Sequence, residues 1–319
     1  MKDTTAPHRT PPSERFGRRR SPLLSSRTLP FHLMLLPAVV LAFLFSYLPI
    51  TGLVIAFQDF KPWHPLFQSP WVGLDHFRLL FEREDSVQVI WNTLIIAFQK
   101  ILFGLAVPIV FALLLNEVRK IAFKRAVQTM VYLPHFLSWV ILGSILIDLL
   151  SPEGGMVSRL LVSWFGLEPI FFLGDNRWFR FTLVVSEVWK EFGFSTILFL
   201  ASLAGINPSL YEAAEVDGAG RWKMTLHITL PSLVPITVVC AVLSLSNILN
   251  AGFDQIFNLY NPMVYQTGDI IDTFVYRVGI LDGKMSFATA VGLFKSVISC
   301  VLVVAVYRLA YKIANYRVF

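Results

Sequence analysis

Glu187, Lys190 and Glu191 stand three and four residues apart inside an otherwise apolar stretch. On a helix that spacing puts all three on one face, where Lys190 can pair with either carboxylate. Asn247, Asn250 and Asp254 repeat the spacing in a second apolar stretch, and Ala288, Gly292, Lys295 and Ser299 form a small, polar strip in a third. An ionised group near the centre of a helix in lipid costs about 2.5–3.5 kcal/mol, whereas a strongly apolar residue returns only about 0.3–0.6 kcal/mol. The charged face must therefore turn toward neighbouring helices or water. Groups of these types suit the binding of a hydroxyl-rich ligand in a hydrated cavity, with Lys100, Lys190 and Lys295 favouring an acidic one and Trp189 or Phe253 supplying an aromatic face. A plainer reading also fits: Lys190 in a buried ion pair with Glu187 or Glu191, and lysines reaching toward headgroups.

Catalytic chemistry finds no such support. His32, His64, His76, His135 and His227 show no metal-ligand spacing with one another or with Cys240 and Cys300, so no metal site is expected. His135, following Pro134, reads as a helix-contact residue. Neither a G-x-S-x-G nucleophile turn nor a G-x-x-x-x-G-K-[ST] phosphate loop occurs, and no acid and nucleophile are paired at a membrane face. The chain reads as a non-enzyme whose energy comes from another subunit.

The elements that must position these residues are membrane helices. The 319 residues are 55% hydrophobic and 15% charged, against about a quarter charged in soluble domains, and several apolar runs exceed the roughly 18 residues a crossing requires. The net charge of +6 is scattered between apolar runs and forms no stripe for nucleic acid. Residues 1–30, rich in Pro, Ser, Thr and Arg, are expected to be a disordered basic arm, and the following run, lacking a small-residue cleavage site, a retained first span. Residues 31–319 are expected to form one domain with spans at about 33–57, 91–115, 128–150, 181–205, 233–257 and 286–310. Of the 27 Lys and Arg residues, sixteen then fall on the side of both termini and eight on the other. That bias predicts both termini in the cytoplasm.

Residues 211–235, YEAAEVDGAGRWKMTLHITLPSLVP, read as two short helices around a glycine break. Asn207 can cap the first, with Pro208 in its first turn; Gly218 and Gly220 permit the change of direction; and the second, from about Arg221, is expected to stop against Pro231. This loop, at about 206–232, resembles the EAA-x3-G-x9-I-x-L-P signature of binding-protein-dependent ABC importer permeases. Glu212, Ala213, Ala214, Gly218, Ile228, Leu230 and Pro231 stand at the family spacing, with Asp217 beside the glycine. Residues 250–280 resemble the branch serving oligosaccharides, including alginate and other uronate-containing ones.

The resemblance implies an all-α, six-helix permease fold of the type I ABC importer kind, in the bacterial inner membrane. Its loop would be a coupling helix docking on a separate ATPase. It implies a second, related permease chain, two ATPase subunits that carry ATP and Mg, an extracytoplasmic solute-binding protein, and no cofactor on this chain. Asn247, Asn250, Asp254, Glu187, Lys190 and Trp189 become the candidate substrate-pathway residues. An ion-coupled secondary sugar transporter is the rival reading, since the charges of span four would suit a relay, but it leaves the loop unexplained.

Overall fold

A computed structural model describes residues 29–65, 67–166 and 168–314, so the expected basic arm lies almost wholly outside the described residues. Those residues are helical nearly throughout, with one isolated antiparallel bridge between Gln58 and Trp71. The chain divides after Gly52 into two compact units. The first contains α1 (Leu29–Ala42), a π turn (Phe43–Tyr47) and the start of a 3-10 stretch (Leu48–Phe57), an apolar run long enough to cross a membrane. The second unit holds every residue discussed below.

Its centre is a parallel pair, α3 (Glu84–Asn116) and α7 (Asn176–Ala204), in which Asn92 meets Arg180 near the starts and Ala112 packs with Phe199 toward the ends. Glu84 and Asp85 in the first turn of α3 complement the helix dipole. Asp175 caps α7 by accepting a hydrogen bond from the Arg177 N–H at 2.8 Å. The short α2 (Asp75–Glu82) precedes α3, and α6 (Met156–Phe165) precedes α7. Ile96 and Ala97 of α3 pack with Phe179 and Leu183 of α7 in one core cluster, and Ala112 packs with Phe199 and Leu203 in another.

The third predicted span is sharply broken. α4 (Ile121–Tyr132) runs into a 3-10 turn (Leu133–Phe136), and α5 (Trp139–Leu150) leaves at 102° to it. Pro134 cannot donate to the helical ladder, Leu137 is extended, and Ser138 accepts from the Ile141 N–H at 3.3 Å to start a new helix. α7 likewise bends by 67° into α8 (Pro208–Val216). Among the described residues, four helical runs pass as membrane spans by length and apolarity, and counting each bent pair as one crossing gives six.

The fifth span departs most from expectation. α9 (Arg221–Met224) does not stop at Pro231; it passes through a π turn (Thr225–Thr229) into α10 (Leu230–Ser246), one continuous run. The wider turn, in which the Leu230 N–H reaches the Thr225 carbonyl, absorbs the donor missing at Pro231. Because the run begins early, it also ends early, at Ser246. Residues 247–252 are irregular, with Gly252 at φ +95°, before α11 (Phe253–Leu259). A turn at Pro262–Val264, α12 (Tyr265–Gly268), α13 (Ile271–Tyr276) and a π turn (Arg277–Leu281) lead to α14 (Met285–Ala314).

Candidate functional site

A polar cavity of about 270 Å³ lies beside the α3–α7 seam, where the irregular segment after α10 meets it. Lys100 and Gly104 line it from α3, Glu187, Glu191 and Ser195 from α7, and Ser244, Asn247 and Asn250 from the end of α10 and the segment beyond. Five residues expected in such a cavity are thus brought together: Lys100, Glu187, Glu191, Asn247 and Asn250.

Lys100 organises it. Its Nζ donates to the Ala251 carbonyl at 2.6 Å and to Gln255 Oε1, and lies 3.6 Å from Glu187 Oε2. The Gln255 Nε2 in turn donates to the Leu183 carbonyl at 2.7 Å and to Ser186 Oγ at 2.8 Å. One ammonium therefore satisfies backbone that the broken helix exposes and ties it to α7. Gly252 takes φ +95°, a conformation that other residues rarely adopt, and a Cβ there would fall 2.8 Å from that Nζ and displace it.

Other expectations are corrected. Asn247, Asn250 and Asp254 share no helical face, since the helix ends before Asn247; Asp254 sits exposed in the first turn of α11 and does not line the cavity. Lys190 is buried and points away from Glu187, donating to the His135 carbonyl at 3.0 Å and pairing with Glu191 Oε1 at 2.6 Å. Trp189 lines a separate groove, with Val188 and Phe192 as the wall the two spaces share. Lys295 pairs with Asp272 at 2.5 Å. The ion-pair reading of Lys190 thus fits, with Glu191 as the partner, whereas Lys295, read as a pathway or headgroup lysine, is paired with Asp272 instead.

Sequence reasoning missed Ser186, Ser195 and Ser244, small residues within helices α7 and α10, and it missed Gln255 because it carried the helix of span five through residues where the chain has left it. Gly252, five residues beyond Asn247, was the available signal. His135 is, as read, a helix-contact residue: its Nδ1 lies 2.7 Å from Glu191 Oε2 and its ring stacks on Phe194 at 4.1 Å.

Polar pins fix the segment between α11 and α14 to the starts of α3 and α7. Asn92 Nδ2 donates to the Gln266 and Asp269 carbonyls, both at 3.1 Å, and its Oδ1 accepts from Arg180 Nη2 at 2.6 Å. Within the segment, Arg277 pairs with Asp269 and lies 4.1 Å over the Tyr265 ring. Burial opposes the charge on Arg277, and Asp269 and Tyr265 together more than restore it, leaving the guanidinium above its ordinary value. Phe253, Phe257 and Tyr276 form an aromatic cluster with centroids 5.1–6.1 Å apart.

At the other end of the bundle, α8 and α9 form an elbow. Asn207 Oδ1 accepts from the Ser209 N–H at 3.1 Å, and Gly218 turns the chain at φ +75°, whereas Gly220 keeps an ordinary negative φ. Glu212, Ala213, Asp217, Gly218, Leu230 and Pro231 are exposed, and Ala214 and Ile228 are half-buried. Tyr211 OH meets Thr229 Oγ1 at 2.9 Å, and Arg221 lies 3.7 Å from Glu117 at the end of α3. Val216 is 88% and Trp222 77% exposed, an apolar tip left largely uncovered.

Residues 100–315 match the binding-protein-dependent transport system inner membrane component family. The chain belongs to that family. This permease is 43% identical to Protein LplB of Bacillus subtilis (strain 168) over 85% of each chain. It is 42% identical to the polygalacturonan/rhamnogalacturonan transport system permease protein YteP of the same organism, over 90% of this chain and 89% of that one. A chain of a bacterial ABC transporter involved in the import of the acidic polysaccharide alginate superposes with a TM-score of 0.82 at 42% identity, covering 90% of the permease and 96% of that chain. The same kind of transporter, in complex with an alginate pentasaccharide-bound periplasmic protein, gives 0.82 at 40% identity. The permease is an inner-membrane transport component and a non-catalytic subunit, as expected, and it works with further subunits. The reading as an ion-coupled secondary transporter is set aside by this membership.

Proposed function

We propose that this permease passes oligosaccharides, acidic ones among them, from an extracytoplasmic binding protein to the cytoplasm, driven by ATP hydrolysis on two separate subunits that carry the ATP and Mg. The observation that carries the reading is the exposed elbow, in which the signature residues Glu212, Ala213, Ala214 and Gly218 surround a left-handed turn that leaves an apolar tip uncovered. Ala213 and Ala214 allow close approach, and Glu212 offers a carboxylate to a basic partner group. Movement of the ATPase subunits against this elbow tilts α7 and α10 together, and the cavity between them changes its access.

The cavity chemistry and the relatives support the substrate class. Asn247, Asn250, Ser195 and Ser244 offer hydrogen bonds to hydroxyl groups. YteP is named for polygalacturonan and rhamnogalacturonan transport, and the superposing transporter for alginate import. A pathway between two such bundles requires a second permease, and a related but different chain suits this branch. The elbow and both termini lie on the cytoplasmic side, in line with the excess of Lys and Arg there.

Proteoliposomes containing the assembled importer test this. Alginate or polygalacturonate oligomers presented on the binding protein are expected to stimulate ATP hydrolysis and to accumulate inside. A cysteine at position 212 is expected to crosslink to the ATPase subunit. Uptake that survives ATP depletion and collapses with an ion gradient overturns the proposal.

A further inference from the structure

The groove lined by Trp189 opens on the other side of the α3–α7 seam from the polar cavity, is about 580 Å³ in volume, and is walled by Phe103 and Val107 of α3 and by Phe181, Val185 and Trp189 of α7. Arg177 and Arg180 stand at one end of it. Neither guanidinium has a carboxylate within ion-pair distance among the described residues. Arg180 is held by the Thr267 carbonyl at 2.9 Å and by Asn92 Oδ1 at 2.6 Å, and Asp175 meets the backbone N–H of Arg177. Those contacts fix Arg180 without neutralising it, so the end of the groove carries two uncompensated positive charges above an apolar trough.

We infer that this groove binds one anionic phospholipid, with its phosphate on Arg177 and Arg180 and an acyl chain lying along Phe181, Val185, Phe103 and Trp189. Three features select this occupant. From Arg177 to Phe192 the groove follows α7 for about 22 Å at ~1.5 Å per residue, close to one leaflet with its headgroup layer, roughly half of the ~40–45 Å of a whole bilayer. Charge is confined to one end, as in an amphiphile, where an oligosaccharide calls for polar partners along its whole length. The apolar side chains are exposed on helices that cross the membrane, with Phe181 at 55% and Trp189 at 46%, so acyl chains reach them directly. Arg180 also pins residues 267 and 92, so a bound phosphate stiffens the joint between α7 and the segment before α14.

Native mass spectrometry of the assembled importer, taken from nanodiscs of phosphatidylcholine doped with phosphatidylglycerol, tests the inference. Phosphatidylglycerol is expected to remain on the importer in preference to phosphatidylcholine. R177Q is expected to reduce that retention about tenfold, the equivalent of 1.4 kcal/mol, and V185W, which fills the trough and leaves both arginines, to reduce it as far. Because Arg180 also holds backbone, R180Q is not needed. Retention unchanged in both variants overturns the site. So does a cysteine at position 181 that crosslinks to the second permease chain in high yield, which makes the groove a subunit interface. Displacement of the lipid by acidic oligosaccharide also overturns it, in favour of a sugar site.

Discussion

His135 Nδ1 sits 2.7 Å from Glu191 Oε2, so a ring in the break between α4 and α5 holds a carboxylate that lines the cavity on α7. Glu191 also neutralises Lys190, whose side chain is only 8% exposed. Removing one partner of a buried pair costs about 3–5 kcal/mol, while replacing both by apolar side chains is often neutral. E191Q is therefore expected to lower the thermal unfolding temperature of the purified importer, and K190M/E191M to recover most of the loss. A double variant as unstable as the single contradicts the pairing.

A Cβ at residue 193 would fall 2.2 Å from the Val131 carbonyl oxygen, so α4 approaches α7 there more closely than any side chain allows. G193A is expected to force the two helices apart at a cost of about 1–3 kcal/mol, in the range of other overpacked sites. Thermal unfolding with an intrinsic-fluorescence readout measures it, and an unchanged midpoint shows that the helices do not meet at this position.

Gly218 adopts φ +75° with open space around a would-be Cβ. Any penalty for G218V is then conformational, about 1–2 kcal/mol for a left-handed residue, and it falls on the elbow alone. The expected result is normal assembly and unfolding temperature with uptake reduced about tenfold, the size of effect that 1.4 kcal/mol produces. G218N, which tolerates this region better, is expected to retain more uptake than G218V. Equal uptake by both variants and the parent removes the elbow's shape from the mechanism.

Gln58 is fully buried, and neither Oε1 nor Nε2 of its side chain has a hydrogen-bond partner among the described residues. A buried amide left unpaired costs about 1–3 kcal/mol, so Q58L is expected to raise stability by about 1 kcal/mol or more. Denaturant unfolding of the detergent-solubilised subunit reads this directly. A drop in stability shows that the amide has a partner outside this chain.

The apolar runs made the crossings legible, because a lipid-facing helix must be apolar over its whole length, and the elbow was legible from Asn207, Pro208 and Gly218, whose roles are local. The breaks were not. Pro134 lies in a run apolar enough to pass for one helix, and only the Ser138 cap betrays the second start. Pro231 read as a stop because a π turn before it leaves no mark in residue type. That error moved the end of α10 by about eleven residues and put Asn247, Asn250 and Asp254 on a face that does not exist. Lys190 and Glu187 share a face by spacing, yet Lys190 turns to His135, a partner 55 residues away that periodicity cannot supply.

The π turn at Thr225–Thr229 keeps the run Arg221–Ser246 unbroken for 26 residues, about 39 Å at ~1.5 Å per residue. The elbow's two arms are therefore mechanically unlike. Force applied at Trp222 travels as along a rigid rod to the asparagines at the far end, whereas force applied at Val216 meets a 67° corner and is spent as rotation.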